Sequence, residues 1–190
     1  QRQMCIRDRY YIPYIGMDYK SVISRLDELD WQNVNPKNTD SRVVQHYGYK
    51  YDYNTSSVKE KGDEMPPCIS GLKNYLTRTC LELKITDDSY KFNQCIINNY
   101  TPGQGISAHV DIKSYGDVIG CFTLGSGTTM VFEKGDEKYE IYVEPNSLYI
   151  MSGDSRYKWK HSMPARKSDV VNGKKIPRDR RVSVTFRMVR

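Results

Sequence analysis

The chain has three histidines, His46, His109 and His161. His109 is followed two residues later by Asp111. In an extended segment, positions i and i+2 point to the same side, so both side chains could meet one ion from a single strand end. His161 lies 50 residues beyond Asp111, after the strand-like SLYIMS and at the end of the aromatic-basic YKWKH. A folded double sheet can bring such a distant third donor beside the first two. Two imidazoles and a carboxylate on one face of a metal leave three positions open, the facial arrangement of non-haem Fe(II) oxygenases. The same donors suit a zinc ion with one open position. Spacing alone separates neither from an incidental His-x-Asp.

The last strand-like string, RVSVTFR from Arg181 to Arg187, adds a second kind of chemistry. Val182, Val184, Phe186 and Met188 fall on one face, as a core face should. Arg181, Ser183, Thr185 and Arg187 fall on the other. Two arginines on the inner face of a barrel-like site are costly unless an anion or carboxylate pairs with them. In a straight strand their Cα atoms lie about 20 Å apart. Long side chains converging from both ends could flank a small dicarboxylate, for which the guanidinium is a natural bidentate clamp. The competing reading is an edge strand with solvated arginines.

These residues need elements to hold them. A chain of 190 residues fits one domain and can bury a core without disulfides. Asp18 can cap a helix running to about Asp30, with Val22, Leu26 and Leu29 on one face. Pro67 can open a second helix through Cys80, with Ile69, Leu72, Leu76 and Cys80 toward the core. Between them, Arg42 to Tyr53 reads as a strand and then an aromatic loop, and Asn54 to Pro67 as a polar, mobile stretch. From Tyr90 onward the pattern changes to short apolar strings separated by Gly, Pro and Asp: FNQCIINNY, DVIGCFTLG, TTMVF, YEIYV, SLYIMS and RVSVTFRMV. Lys134 to Glu137 is a plausible hairpin link. Such spacing predicts an all-β sandwich or barrel with two N-terminal helices packed on an antiparallel double sheet. The first ten residues, QRQMCIRDRY, show neither periodicity. They are read as a disordered or foreign extension ahead of one domain over 11–190. Five scattered cysteines without a CxxC pair read as free thiols in a reducing compartment, hence an intracellular protein, cytoplasmic or nuclear. No apolar run is long enough for a membrane span, and there is no signal-peptide pattern.

Charge and tyrosine point to a partner. From Arg156 to Arg190 there are 12 Lys or Arg and 2 Asp, while the whole chain carries a net charge of +6. This asymmetry suggests an anionic partner, nucleic acid ahead of acidic lipid, against a merely solubilising surface. Tyrosine outnumbers phenylalanine 16 to 4. Tyr47, Tyr49, Tyr51 and Tyr53 share one strand parity and interleave with Lys50, which would suit base stacking or simply a half-buried tyrosine face. Arg156, Lys158 and Lys160 alternate with Tyr157 and Trp159; Arg156 suits the site wall, the two lysines phosphate or solvent. Lys174 and Lys175 lie in an expected loop before the last strand, where Pro177 discourages a helix. TPGQG, Thr101 to Gly105, is a turn leading to His109 and not a phosphate-binding loop.

Taken in order, CIINNYTPGQGISAHVD (Cys95–Asp111), FTLGSG (Phe122–Gly127), SGDSRYKWKH (Ser152–His161) and RVSVTFR resemble the AlkB family of Fe(II)- and 2-oxoglutarate-dependent dioxygenases, over roughly Arg42 to Arg190. QHYGYKYDY and TPGQGISAHVD look most like the oxygenase domain of its tRNA wobble-uridine hydroxylase subgroup. The resemblance implies a double-stranded β-helix, or jelly roll, over about 91–190, with a nucleotide-recognition lid over about 42–65. It implies Fe(II), 2-oxoglutarate and O₂, with His109, Asp111 and His161 as catalytic metal ligands. It makes Arg181 the partner of the distal 2-oxoglutarate carboxylate, puts Arg187 near the other end of the cosubstrate and Asp111, and gives Asn98 and Tyr100 hydrogen bonds to the cosubstrate. Substrate contacts are expected from Tyr47, Tyr49, Lys50, Tyr51, Arg156, Lys158, Lys160, Lys174 and Lys175. The implied reaction is hydroxylation or oxidative N-demethylation of a modified or alkylated nucleobase in RNA or DNA, yielding succinate and CO₂. The competing readings are hydroxylation of a tRNA wobble-uridine side chain without demethylation, an inactive nucleic-acid-binding jelly roll, and a protein or small-molecule oxygenase. Nucleic acid is the expected partner, with no membrane, and a monomer is favoured.

Overall fold

A computed structural model describes residues 8–190. In chain order the elements are β1 (Arg9–Ile12), α1 (Tyr19–Asp27), β2 (Gln32–Asn33), β3 (Val43–Tyr47), β4 (Tyr49–Asp52), β5 (Ser57–Lys61) and α2 (Pro67–Glu82). Then follow β6 (Gln94–Tyr100), β7 (Ile106–His109), β8 (Ile119–Gly125), β9 (Thr128–Lys134), β10 (Glu137–Val143), β11 (Ser147–Met151) and α3 (Gly153–Tyr157). The chain closes with β12 (Lys160–Met163), β13 (Ser168–Val171), β14 (Lys174–Pro177) and β15 (Arg181–Arg187).

Strand alternation builds two layers. A seven-stranded sheet runs β1-β11-β8-β15-β6-β3-β2, and a four-stranded sheet runs β10-β9-β12-β7. β15 sits between β8 and β6 in the larger sheet and is buried along its whole length. Val182, Val184 and Phe186 join the helix-side core, where Leu26, Leu72 and Leu76 of α1 and α2 cover them. Between the two sheets lies a second core, with Tyr100, Cys121, Met130, Phe132, Tyr149 and Met163. The polar face of β15 opens into that inter-sheet space. This is the expected jelly roll with two helices on its larger sheet. Gly120 allows the close approach of α2 to β8: a Cβ there would meet Leu76 Cδ1 at 2.4 Å.

Local chemistry sets the boundaries, and several differ from the sequence expectation. Asp18 Oδ1 accepts the Ser21 N–H at 3.3 Å and caps α1 as expected. The helix stops at Asp27 instead of Asp30, because Glu28 and Leu29 bond back to the Arg25 and Leu26 carbonyls in a tightened last turn. Leu29 is left exposed. The stretch after Asn54 is not simply a polar loop, since it supplies β5, which pairs with β4. Asp52 Oδ1 accepts the Asn54 and Thr55 N–H groups at 2.8 and 3.3 Å and shapes that turn. The expected loop around Lys174 is a hairpin of β13 and β14. Its turn residues Asn172 and Gly173 have φ of +51° and +77°, the backbone a two-residue hairpin link requires. Residues 8–10 belong to the fold: β1 pairs with β11, and the Asp8 carbonyl accepts from Ser155 Oγ at 2.6 Å. Residues 1–7, Cys5 among them, lie outside the described residues. Cys68, Cys80, Cys95 and Cys121 are free thiols. Among the described residues no helix is long and apolar enough to cross a membrane.

Gly48 is where the chain leaves the larger sheet. Its φ is +78°, and a Cβ would sit 1.9 Å from the Asn93 carbonyl oxygen. Gly48 N–H donates to the Asp63 carbonyl at 2.7 Å, and Gly62 N–H donates to the Gly48 carbonyl at 2.8 Å, which closes the base of the β4–β5 hairpin. Gly48→Ala is expected to destabilise the protein by about 2 kcal/mol or more, read from the midpoint of urea unfolding. Gly135→Ala, with a φ of +57° but nothing within 4 Å, should cost less. Equal midpoints for the two variants would contradict the steric account.

Candidate active site

The register of the smaller sheet assembles the site. His161 on β12 is the direct cross-strand partner of His109 on β7. Their ring centroids lie 4.4 Å apart. Asp111, two residues beyond His109, turns its Oδ2 to within 3.5 Å of His161 Nε2. One ligand atom from each of the three can be chosen so that all lie within 4.8 Å of one another. His109 Nδ1 is 2.8 Å from the Ser107 carbonyl oxygen, a contact that puts the proton on Nδ1 and leaves Nε2 as the lone-pair donor.

Asp111 is buried, yet ionised. Burial alone pushes its carboxyl up, but the Arg187 guanidinium, followed by His161, His109 and Arg156, outweighs it and holds the carboxyl down at about 2. Arg187 Nε and Nη2 both lie 2.9 Å from Oδ1. Asp111 Oδ2 has no hydrogen-bond partner although it is buried. Burial lowers His161 to about 4, so its imidazole is neutral. A carboxylate oxygen left unpaired beside two imidazole rings is the donor set a divalent metal requires. The residues therefore fit Fe(II).

Behind this group lies a narrow inner cavity, lined by Tyr100, Ser183, Thr185 and Arg181 among others. Arg181 is buried, donates to Thr123 Oγ1 at 2.9 Å, and has a buried Nε without a partner. Among the described residues no carboxylate pairs with it, so the inner end of the cavity presents a guanidinium to an anion. In front lies a wider cavity of about 510 Å³ that ends on His109 and Asp111 and is walled by Tyr51, Tyr53 and Tyr115. Asn98 borders both cavities, and Tyr100 only the inner one.

The expected substrate residues scatter. Tyr51 lines the outer cavity, but Tyr47 is buried in the helix-side core, its hydroxyl donating to Gln45 Oε1 at 3.0 Å. Gly48 and the irregularity between Lys50 and Tyr51 break the single tyrosine face that the alternation suggested. Tyr49 lies at the hairpin base, and Lys50 is exposed on it. Arg156 is buried and unavailable to nucleic acid. It donates to the carbonyls of Asp111, Ile112, Tyr115 and Gly116 at 2.6–3.3 Å, and so clamps the loop that carries the ligand carboxylate. Lys158 is exposed and pairs with Asp154 at 2.9 Å. Lys160 is exposed beside His161, and Lys174 and Lys175 are exposed on the β13–β14 hairpin; none of these lines either cavity.

The sequence reading missed Arg42, Tyr115 and the part played by His46. Arg42 and His46 share their β3 parity with Val44, which pairs with the inward Asn98, and that parity was the available signal. Arg42 Nε donates to Asn98 Oδ1 at 2.8 Å. His46 Nδ1 accepts the Tyr51 N–H, and its Nε2 lies 3.3 Å from the Tyr53 hydroxyl. Burial, with Arg187 and Lys50 adding to it, lowers His46 to about 4. The neutral ring thus ties two tyrosines of the cavity wall to the sheet.

The comparisons agree with this geometry. A family model described as the 2OG-Fe(II) oxygenase superfamily matches residues 18–187. The chain belongs to that superfamily, and is a dioxygenase that uses Fe(II), 2-oxoglutarate and O₂. It is an AlkB-like member. It is 39% identical over 178 residues to an uncharacterised protein of Acanthamoeba polyphaga mimivirus, covering 90% of this chain and 78% of that protein. It is 33% identical over 188 residues to the Xenopus tropicalis tRNA (carboxymethyluridine(34)-5-O)-methyltransferase alkbh8, covering 87% of this chain but 29% of that one. A third relative is the Alkylated DNA repair protein ALKBH8 homolog of Arabidopsis thaliana, 34% identical over 78% of this chain and 49% of its own length. The chain thus spans less than half of these last two relatives. The solved structure of OsALKBH1 shares the fold, with a TM-score of 0.71 at 19% identity over 95% of this chain and 96% of its own. A Pseudomonas putida prolyl-4-hydroxylase does so at a TM-score of 0.61 and 11% identity, over 96% and 93%.

Arg156→Met should leave four loop carbonyls without their donor and destabilise the fold by about 3 kcal/mol. Arg156→Lys, with a compact ammonium in place of the planar fork, should recover only part of that. Denaturant unfolding of the three proteins measures both, and unchanged stability in Arg156→Met would remove the clamp.

Proposed function

We propose that the chain oxidises a modified nucleobase in RNA or DNA. The observation that carries this reading is the outer cavity, which ends on His109 and Asp111 and is walled by three tyrosines. A base can be oxidised there only if it is single-stranded or turned out of its stack, and aromatic walls supply the replacement stacking. Likeness to relatives named for tRNA uridine and for alkylated DNA supports a nucleic-acid substrate.

The roles follow from position. His109, Asp111 and His161 hold Fe(II). Arg181 pairs with the distal carboxylate of 2-oxoglutarate, while Asn98 and Tyr100 hydrogen-bond the cosubstrate. Arg187 keeps Asp111 ionised and aimed, and Arg156 keeps its backbone in place. The β4–β5 hairpin forms a lid beside the outer cavity, and Tyr51, Tyr53 and Tyr115 shield the reacting carbon from water. When bound, Fe(II) with 2-oxoglutarate and O₂ supplies the oxidation: one oxygen atom enters a substrate C–H bond and the other leaves in succinate, with release of CO₂. If that carbon is attached to nitrogen, the hydroxylated group departs as formaldehyde and the base is demethylated. If it is attached to carbon, the hydroxyl stays.

Incubation with modified RNA and DNA oligonucleotides, followed by mass spectrometry, tests the reading. An oxidised or demethylated base is expected, and turnover confined to proteins or small molecules would replace it. Asp111→Ala should lose Fe(II) binding by about 10–100-fold or more and should abolish succinate formation. Normal turnover in that variant would remove the ligand assignment. Arg181→Gln should raise the KM for 2-oxoglutarate by about 10–100-fold with a smaller change in kcat, and an unaltered KM would place the distal carboxylate elsewhere.

A further inference from the structure

The outer cavity has one charge that the reaction itself does not use. Arg42 stands just ahead of β3, its Nε held by Asn98 Oδ1 at 2.8 Å, and its side chain lines the cavity. Among the described residues it forms no ion pair, and its two Nη groups have no hydrogen-bond acceptor. The other charged groups lining this cavity are Arg187 and Asp111, which meet each other at 2.9 Å. By formal charge bound Fe(II) and the 2-oxoglutarate dianion cancel, which leaves the guanidiniums of Arg181 and Arg42. Arg181 lines only the inner cavity, so Arg42 is the uncompensated charge facing whatever base enters the outer one.

We propose that Arg42 is a specificity-determining residue: it admits an uncharged or carboxylate-bearing base and rejects a base with a fixed positive charge. The inference rests on the nucleobase reading and narrows it. Adenine methylated at N1 and cytosine methylated at N3 are cations at neutral pH. Uracils substituted at C5 are neutral or carry only the charge of their substituent. A cation entering here meets tyrosine faces, which attract it, and the Arg42 guanidinium, which repels it, with no free carboxylate to tip the balance. The one carboxylate among the described lining residues is Asp111, already engaged by Arg187 and turned to the metal position. A like charge in a half-buried wall is worth on the order of a tenfold loss, and an opposite charge a similar gain.

The test uses the whole chain with Fe(II), 2-oxoglutarate and O₂, on single-stranded RNA and DNA oligonucleotides of one sequence. Each carries N1-methyladenine, N3-methylcytosine, 5-methyluracil or 5-carboxymethyluracil. Values of kcat/KM are compared between the cationic pair and the C5-substituted pair for the wild type, Arg42→Gln and Arg42→Glu. The ratio within one preparation cancels any loss of folded protein. The expected result is a preference of about tenfold or more for the C5-substituted bases, reduced in Arg42→Gln and reversed in Arg42→Glu. A wild-type preference for the cationic bases, or a ratio that Arg42→Glu leaves unmoved, overturns the role of Arg42 and leaves the nucleobase reading standing. Turnover of no oligonucleotide in the panel overturns that reading and this inference with it.

Discussion

Arg187 and Asp111 meet at 2.9 Å in a place where neither charge would be stable alone. Both are buried. A lone carboxylate there would take up a proton, and a lone guanidinium would leave its donors unsatisfied. Together they keep one oxygen occupied and the other free, and the free one is turned to His161. The pair is further fixed by its surroundings. Arg187 lies over the Tyr115 ring at 4.8 Å, while Arg156 grips the Asp111 carbonyl at 2.9 Å. The carboxylate is thus held through its side chain by β15 and through its backbone by α3. That double hold presets the third donor before any metal arrives.

The larger sheet makes this possible because β15 is buried on both faces for different reasons. On the helix side, Val182, Val184 and Phe186 lie under α1 and α2, and their burial supplies the apolar stabilisation. That packing allows the opposite face to carry Arg181, Ser183, Thr185 and Arg187, which contribute chemistry at an energetic cost. The outer cavity depends on a second departure from regularity. Had β3 continued past Gly48, Tyr51 and Tyr53 would stay in the sheet; the left-handed φ at Gly48 sends them into a hairpin, and His46 fastens them back.

Features that follow from local alternation were legible in the sequence. His109 and Asp111 share a side because extended residues two apart do, and the same rule separates the two faces of β15. The cross-strand meeting of His109 and His161 required the register of β7 with β12, which no local pattern encodes. The tyrosine series misled for a related reason: parity holds only while a strand continues, and one glycine reset it. Arg156 alternates with Tyr157 and Trp159 in a basic-aromatic string, which suggests a substrate contact at the site wall. Its actual partners are four carbonyls around 40 residues away, and backbone satisfaction leaves no trace in side-chain spacing. Asn172-Gly173 was a readable hairpin signal that the surrounding charges obscured.

The basic C-terminal segment has a different meaning in three dimensions from the one its composition suggests. Arg178 is buried against Asp169 at 2.7 Å. Arg180 reaches Asp27, Arg190 reaches Asp117, Lys158 reaches Asp154 and Arg187 reaches Asp111. Four of these five cations find their acids outside the segment's own residues 156–190, so folding offsets part of the charge asymmetry along the chain, while Lys160, Lys167, Lys174 and Lys175 stay exposed. The exposed pairs among them add little stability, but they remove cations from the inventory available to a phosphate backbone. Two guanidiniums without a carboxylate partner among the described residues stand at the cavities: Arg181 faces the inner one, where one small anion must dock, and Arg42 the outer one, where the choice of base is made.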